Sequence, residues 1–459
     1  MLSNAFKHNL NHFLRLYGEN AVRSSLVRLW LKSNAISDSI AAKDVDIEAL
    51  LSSPSHGIII DTLTKSTSFF NLKDLEGAFE AIIDNHRKKK QGSVYTPNYI
   101  IEYLFNSCTS CFLTSLRNIK ILDPACGSGG FLIKALDILS SKHDSCIEHF
   151  VSNSLYGVDN DPWAIRHASY LIKLYLMNKG ICSSDYQLNL YVLDSLLTNS
   201  NDLLFKLGVP EGFDVIVTNP PYVKLQNIEN KYRSSLLSKF PYYTKGSFSL
   251  SLLFLLIGHN LLSENGRLGY ITQNNLFTSL AGEPIRNYIQ NNRCLLKIIN
   301  FCHNHVFPNA SAYTCLIFLS KSNYNKFYYA EIRRKVNANS LNNCTFDKLD
   351  TCFLTPKKWR LAMNIDLLNL RKIENIGRPL GAITDIRVGF ATLKDRVYFA
   401  TEKNGDCTAI DTNGNIHKIE IEATKPALKL SKINNTSDIY SSETRIIFPY
   451  KNAIAAFIA

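Results

Sequence analysis

This 459-residue chain has no long hydrophobic run. Its most apolar stretch, Leu250 to Ile257, falls far short of the ~20 residues that a membrane-spanning helix needs, and it reads as a buried helix. The leading segment, Met1 to Gly18, mixes Lys7, His8, Asn11 and Arg15 with apolar residues, so it lacks a signal-peptide core. No membrane partner is expected. Cysteine occurs 11 times, an odd number scattered along the chain, which argues against a disulfide framework and for a reducing, cytoplasmic setting. Acidic residues are in deficit, 39 against 51 basic ones, leaving a formal net charge of +12. That balance suits a polyanionic partner. Internal repeats and low-complexity tracts are also missing, which excludes repeat architectures.

What remains is an ordinary globular composition, 46% hydrophobic and 20% charged, in a chain long enough for a large core and more than one domain. Residues 1–90 carry helical periodicity (Phe13, Leu14, Leu16; Leu26, Leu29, Trp30) and close on Arg87-Lys88-Lys89-Lys90, read as a solvated helix end. From 91 to 325, short β-rich runs alternate with longer helical ones, the pattern of a mostly parallel α/β sheet covered by helices. Seven strands are predicted, at Ile119–Leu122, Leu155–Val158, Leu190–Leu193, Val215–Thr218, Leu268–Thr272, Lys297–Phe301 and Thr314–Leu319. Helices are predicted over Gly130–Ser141, Pro162–Met177, Ser249–Leu262 and Pro284–Asn292. Residues 326–459 turn to short strands and polar turns, among them Asn404-Gly405 and Thr412-Asn413-Gly414.

The first strand runs into Asp123-Pro124-Ala125-Cys126-Gly127-Ser128-Gly129-Gly130. Glycines at a strand-to-helix turn let a ligand approach the backbone at the mouth of a sheet. Alone, such a turn fits a dinucleotide enzyme equally well. Two details weigh against that: the strand ends on an acid before the glycines, and the next acidic strand end, Asp159, follows Gly127 by 32 residues. A nicotinamide fold places its acid about 20 residues on. Asp159 is placed to accept from ribose hydroxyls, and Asp194, ending the third strand, from an adenine amino group. Asp161 reads as a helix cap.

The fourth strand delivers Asn219-Pro220-Pro221-Tyr222. Together with the Asp-Pro-Ala-Cys-Gly-Ser-Gly turn upstream, this tetrapeptide resembles the adenine-specific amino-methyltransferases of restriction–modification systems. The likeness is greatest to the Eco57I-like and type I modification-subunit methylases, and it spans roughly residues 85 to 400. It implies a Rossmann-like methyltransferase sheet, S-adenosyl-L-methionine as cofactor and double-stranded DNA as substrate, with specificity and restriction subunits as possible partners. The residue types suit the chemistry. Adenine's amino lone pair is delocalised into its ring; the Asn219 side-chain carbonyl and the Pro220 backbone carbonyl can accept its two hydrogens and favour a pyramidal nitrogen. Two prolines stiffen the loop, and Tyr222 offers a ring face to an extruded base.

The resemblance extends to two flanking segments. Gln91-Gly92-Ser93-Val94-Tyr95-Thr96-Pro97 is similar to the family's cofactor-carboxylate motif, with Thr96 expected to cap a helix begun by Pro97. Asn304-His305-Val306-Phe307-Pro308-Asn309-Ala310 is similar to the segment whose phenylalanine stacks on the flipped base, a role that falls to Phe307; a plain core position is the alternative. Cys108 and Cys111 lack a second pair at zinc spacing and read as buried thiols. His303-Asn304-His305 lacks the setting of an HNH nuclease, and no endonuclease constellation precedes residue 90.

Pro379–Ile383 and Val388–Asp395 resemble the entry to a target-recognition domain, and Arg445–Lys451 an internal strand of one. That domain is expected to be partial, and the chain a poor site-specific methylase by itself. Methylation of RNA or of protein glutamine, and a DNA-binding remnant without activity, are the competing readings.

Overall fold

The computed structural model describes residues 3–65, 70–82, 96–112, 118–142, 147–181, 186–244, 246, 248–307, 313–385, 395–411, 414–429, 433, 435–440 and 442–448. Tyr95, the basic run at 87–90, Pro308-Asn309-Ala310, Thr412-Asn413, residues 388–394 and the stretch from Pro449 onward lie outside the described residues.

Nine strands form the first sheet: β1 (Ile121–Asp123), β2 (Leu155–Asp159), β3 (Asn189–Val192), β4 (Phe213–Thr218), β5 (Leu262–Gln273), β6 (Leu295–Asn300), β7 (Thr314–Ser320), β8 (Lys326–Glu331) and β9 (Asp347–Asp350). Their order is 3-2-1-4-5-7-6-8-9. Strands β1 to β5 pair in parallel, and β7 runs antiparallel between β5 and β6. All seven β7 residues are buried, as a central strand covered on both faces requires.

The seven expected strands are all present, but the sheet has nine. β8 and β9 extend it, β8 parallel to β6 and β9 antiparallel to β8. Both are hard to read locally. β9 is only Asp-Lys-Leu-Asp, and such a short, charged strand is typical of a blunted sheet edge. Their place is decided by pairing with residues far away in the chain.

The chain separates into two compact units, Met1–Leu370 and Arg371–Ala459, and β8 and β9 belong to the first. Within that unit, the N-terminal helices Asn4–Ser33, Gly57–Thr64 and Leu72–Ile82 share a core with the Pro162–Asn178 helix, where Trp30, Phe79 and Leu171 are buried. Asp161 caps the latter helix, accepting from Trp163 N at 2.9 Å.

The second unit holds an antiparallel sheet in the order 12-11-10-14-13, built from β10 (Phe399–Lys403), β11 (Asp406–Ile410), β12 (Ile416–Ile419), β13 (Thr424–Pro426) and β14 (Thr444–Ile447). The Asn404-Gly405 turn joins β10 to β11 with both residues at positive φ, 52° and 84°, as a two-residue hairpin demands. β14 lies between β10 and β13.

The order of the first sheet reverses between β1 and β4. β2 and β3 wind outward on one side, β4 and β5 on the other, so the crevice that binds ligands in such sheets opens at the ends of β1 and β4.

Candidate active site

The turn after β1 is held from three sides. Gly127 and Gly129 adopt φ of 52° and 85°, conformations open to glycine, and a Cβ on Gly129 would stand 3.0 Å from that of Ala168. Cys126 N donates to Val158 O at 3.0 Å, and Ser195 Oγ donates to Pro124 O at 2.7 Å. Asp159 supplies the third tie: one carboxylate oxygen accepts from Gly127 N at 3.0 Å and the other from Asp161 N at 2.9 Å. Asn160 N also bonds this carboxylate, which has about four lone-pair directions and so keeps acceptor capacity for a ligand.

Burial dominates the electrostatics. It pushes the Asp159 carboxyl above its ordinary range against the backbone donors of Asp161, Gly127 and Asn160, and lifts Asp123 to about 7, helped by the neighbouring Asp159 charge. Asp123 accepts from Ala125 N at 3.1 Å. Asp194 accepts from Leu196 N and Leu197 N at 2.9 and 2.8 Å, and Tyr232 donates its hydroxyl to the same carboxylate.

Beside this turn lies a cleft of about 600 Å³, within the ordinary range for small-molecule sites. The expected residues Pro124, Ala125, Gly127, Ser128, Asp159, Asp194, Asn219 and Pro221 line it. Asp123, Cys126, Gly129, Thr96, Pro97, Pro220, Tyr222 and Phe307 do not. Five carboxylates, those of Glu80, Asp159, Asp161, Asp194 and Glu229, face the cleft, and among its described lining residues there is no lysine or arginine. Such a wall repels phosphates and attracts cations. Glu80, Tyr232 and Phe254 escaped sequence reasoning. Glu80 sits on the Leu72–Ile82 helix, well before β1 in the chain, and nothing in its local pattern distinguishes it from a solvent-facing acid.

Asn219 stands at the end of β4, and its Nδ2 donates to Thr96 Oγ1 at 2.9 Å. This corrects the expected role of Thr96. The following helix runs over Asn98–Thr109, with Pro97 as its N-cap and no side-chain cap, while the buried Thr96 hydroxyl turns to the tetrapeptide instead.

Tyr222 OH donates to Ile271 O on β5 at 3.1 Å, and burial raises its phenol well above the ordinary value. Phe307 is 1% exposed and packs in the core, its ring centroid 6.5 Å from that of Tyr222 at 52°. A base held between two rings needs them parallel and about 7 Å apart, twice a carbon contact distance. The core alternative therefore describes Phe307 in this conformation. Cys108 is buried and Cys111 exposed, and no metal-binding cluster occurs among the described residues. No described helix is long and apolar enough to cross a membrane.

A mostly parallel sheet with this strand order and an antiparallel β7 makes the molecule a Rossmann-like methyltransferase in fold. The family model "N-6 DNA Methylase" matches residues 72–359, and the chain belongs to that family. It is 25% identical over 421 residues to the type II restriction enzyme and methyltransferase RM.Eco57I of Escherichia coli, across 78% of this chain and 42% of that protein. It is 28% identical to the type II methyltransferase M.BanIII of Aneurinibacillus aneurinilyticus, across 49% and 37%, and 25% identical to M.BstVI of Geobacillus stearothermophilus, across 81% and 68%. The chain thus spans less than half the length of the first two. In fold it is similar to the type IIG restriction endonuclease BpuSI (TM-score 0.56, 16% identity, 86% of this chain and 51% of that one). It is also similar to DrdV in its DNA complex (TM-score 0.53, 15% identity, 75% and 42%).

Proposed function

We propose that this chain methylates the exocyclic amino group of adenine in double-stranded DNA, with S-adenosyl-L-methionine as methyl donor, as the modification component of a restriction–modification system. The observation that carries the reading is the carboxylate-lined cleft with Asn219 in its wall. A dinucleotide brings negative phosphates, which five carboxylates would oppose. S-adenosylmethionine brings a sulfonium and an ammonium, which they favour, and when bound it supplies an electrophilic methyl group.

Asp159 is suited to receive the ribose hydroxyls on the acceptor capacity that its backbone donors leave, and Asp194 with Tyr232 the nucleobase edge. The Asn219 side-chain carbonyl would accept a hydrogen bond from the target amino group, held in orientation by the bond from its Nδ2 to Thr96. Pro220 would offer its backbone carbonyl to the second hydrogen. Tyr222 would carry the extruded base on its ring, and Phe307 would join it only after the pair opens.

The test is methyl acceptance from tritiated S-adenosylmethionine by duplex DNA, tRNA and a release factor, with the product base identified by mass spectrometry. N6-methyladenine in DNA is the expected product. Label only in RNA or in glutamine, or cofactor binding without any product, would overturn the assignment.

A further inference from the structure

A second cleft, of about 520 Å³, opens between the Asn98–Thr109 helix and strands β5 to β8, and it shares no lining residue with the carboxylate-lined one. Two cations line it, Arg267 on β5 and Lys297 on β6, with aromatic rings from Tyr99, Tyr103, Phe318 and Tyr328. The Lys297 ammonium lies 4.2 Å from the Phe318 ring centroid and 4.9 Å from that of Tyr103. It donates to Ser107 Oγ at 3.0 Å and Tyr103 OH at 3.4 Å. All these partners are neutral.

Among the described residues, no carboxylate forms an ion pair with Lys297 or Arg267. Glu102, the acid on the same wall, lies 3.7 Å from Lys134 instead. The two cations are close enough to repel each other, and both bear on the buried Cys108 thiol. Burial depresses the Lys297 ammonium to about 8. Ring faces and hydroxyls offset only part of what a desolvated ammonium loses. Two like charges thus converge on one cleft, and among the described residues neither is paired with a carboxylate.

We infer that this cleft binds a small anion carried on a flat ring, an aryl or heteroaryl phosphomonoester. Arg267 presents a planar fork that matches phosphate oxygens, and Lys297 adds a point charge. The tyrosine and phenylalanine rings provide faces and edges for the flat part. The size is that of an ordinary small-ligand site. Methyl transfer is not a premise of this inference.

Titration calorimetry on the full chain with phenyl phosphate as probe tests it, with inorganic phosphate and phenol as controls. Phenyl phosphate should bind saturably, at least ~10-fold more tightly than inorganic phosphate, and phenol should not bind. Saturating S-adenosylhomocysteine should leave that binding unchanged. Lys297→Met keeps an apolar stem against the rings and removes the charge, so it should weaken binding at least ~10-fold while the unliganded chain melts no lower. Arg267→Gln should weaken it similarly. No saturable binding up to about 10 mM, or equal affinity in both variants, would overturn the inference. Should Lys297→Met fail to fold, unchanged affinity in Arg267→Gln alone does so.

Discussion

Asp159 and Asn219 are each tied to the protein before any ligand arrives, and their predicted phenotypes reflect that. Asp159→Ala removes acceptors for a ligand and also the tie to Gly127. Affinity for S-adenosylmethionine should fall by roughly 1.5–3 kcal/mol, the range for hydrogen bonds to charged groups. Asp159→Asn keeps one acceptor oxygen and should lose less. Unchanged affinity in a folded Asp159→Ala, measured by calorimetry, would place the ribose elsewhere. Asn219→Ala should leave that affinity nearly intact while single-turnover methyl transfer drops roughly 100-fold or more. Near-normal transfer would sink the role given to Asn219. Asp123 bears on stability instead. Its folded carboxyl sits near 7 against an ordinary 3.8, so folding favours the protonated form. The resulting stabilisation is complete below about pH 4 and lost as pH rises through about 7. Asp123→Asn should flatten that part of the urea-derived stability profile of the unliganded chain. Some slope should persist, because Asp159 is shifted in the same direction.

At the scale of elements, the site depends on how closely strands and helices approach. Gly157 on β2 is a contact point: a Cβ there would meet Leu132 Cδ1 at 2.7 Å, Leu190 Cδ2 at 2.8 Å and Cys126 Sγ at 3.1 Å. Gly157→Ala should therefore cost about 1–3 kcal/mol of unfolding free energy, as overpacking does, and loosen the turn that Cys126 anchors. A denaturation midpoint equal to the parent's would contradict this packing. The pairing of the 222 loop with the segment after β6 makes a separate prediction. Tyr222→Ala and Phe307→Ala should impair holding of an extruded base, and the defect should shrink when the target adenine is mispaired, because less unpairing energy is then needed. A defect of equal size on paired and mispaired DNA would remove the stacking roles and leave Phe307 as a core residue.

For the whole molecule, charge distribution matters more than any single contact. The chain carries +12 overall, yet the cleft beside Asn219 is lined by carboxylates, so the positive excess lies elsewhere. Duplex binding should accordingly be dominated by phosphate neutralisation and counter-ion release. Even about three phosphate contacts would weaken affinity by more than 10-fold between 50 and 200 mM salt. Fluorescence anisotropy with several unrelated duplexes should show that slope and little sequence preference. Tight, salt-insensitive binding to one duplex would mean that base contacts dominate.

Much of this was legible in the sequence because its chemistry is local. An apolar run ending in an aspartate, a glycine pair after it and Asn-Pro-Pro-Tyr after another apolar run are contiguous strings, and backbone geometry alone assigns them to strand ends. The same locality made the Asn404-Gly405 hairpin and the Asp161 cap readable. Tertiary structure decided what depends on pairing across distance. It joined β8 and β9 to the sheet, turned Thr96 from a helix cap into a partner of Asn219, and brought Glu80 from an N-terminal helix to the cleft. It also buried Phe307 against Tyr222 and gathered Lys297 and Arg267 at one cleft. A short polar strand, an exposed-looking acid and a lone lysine carry no periodic signal. Their roles come from what packs beside them, and burial is a property of the assembled chain.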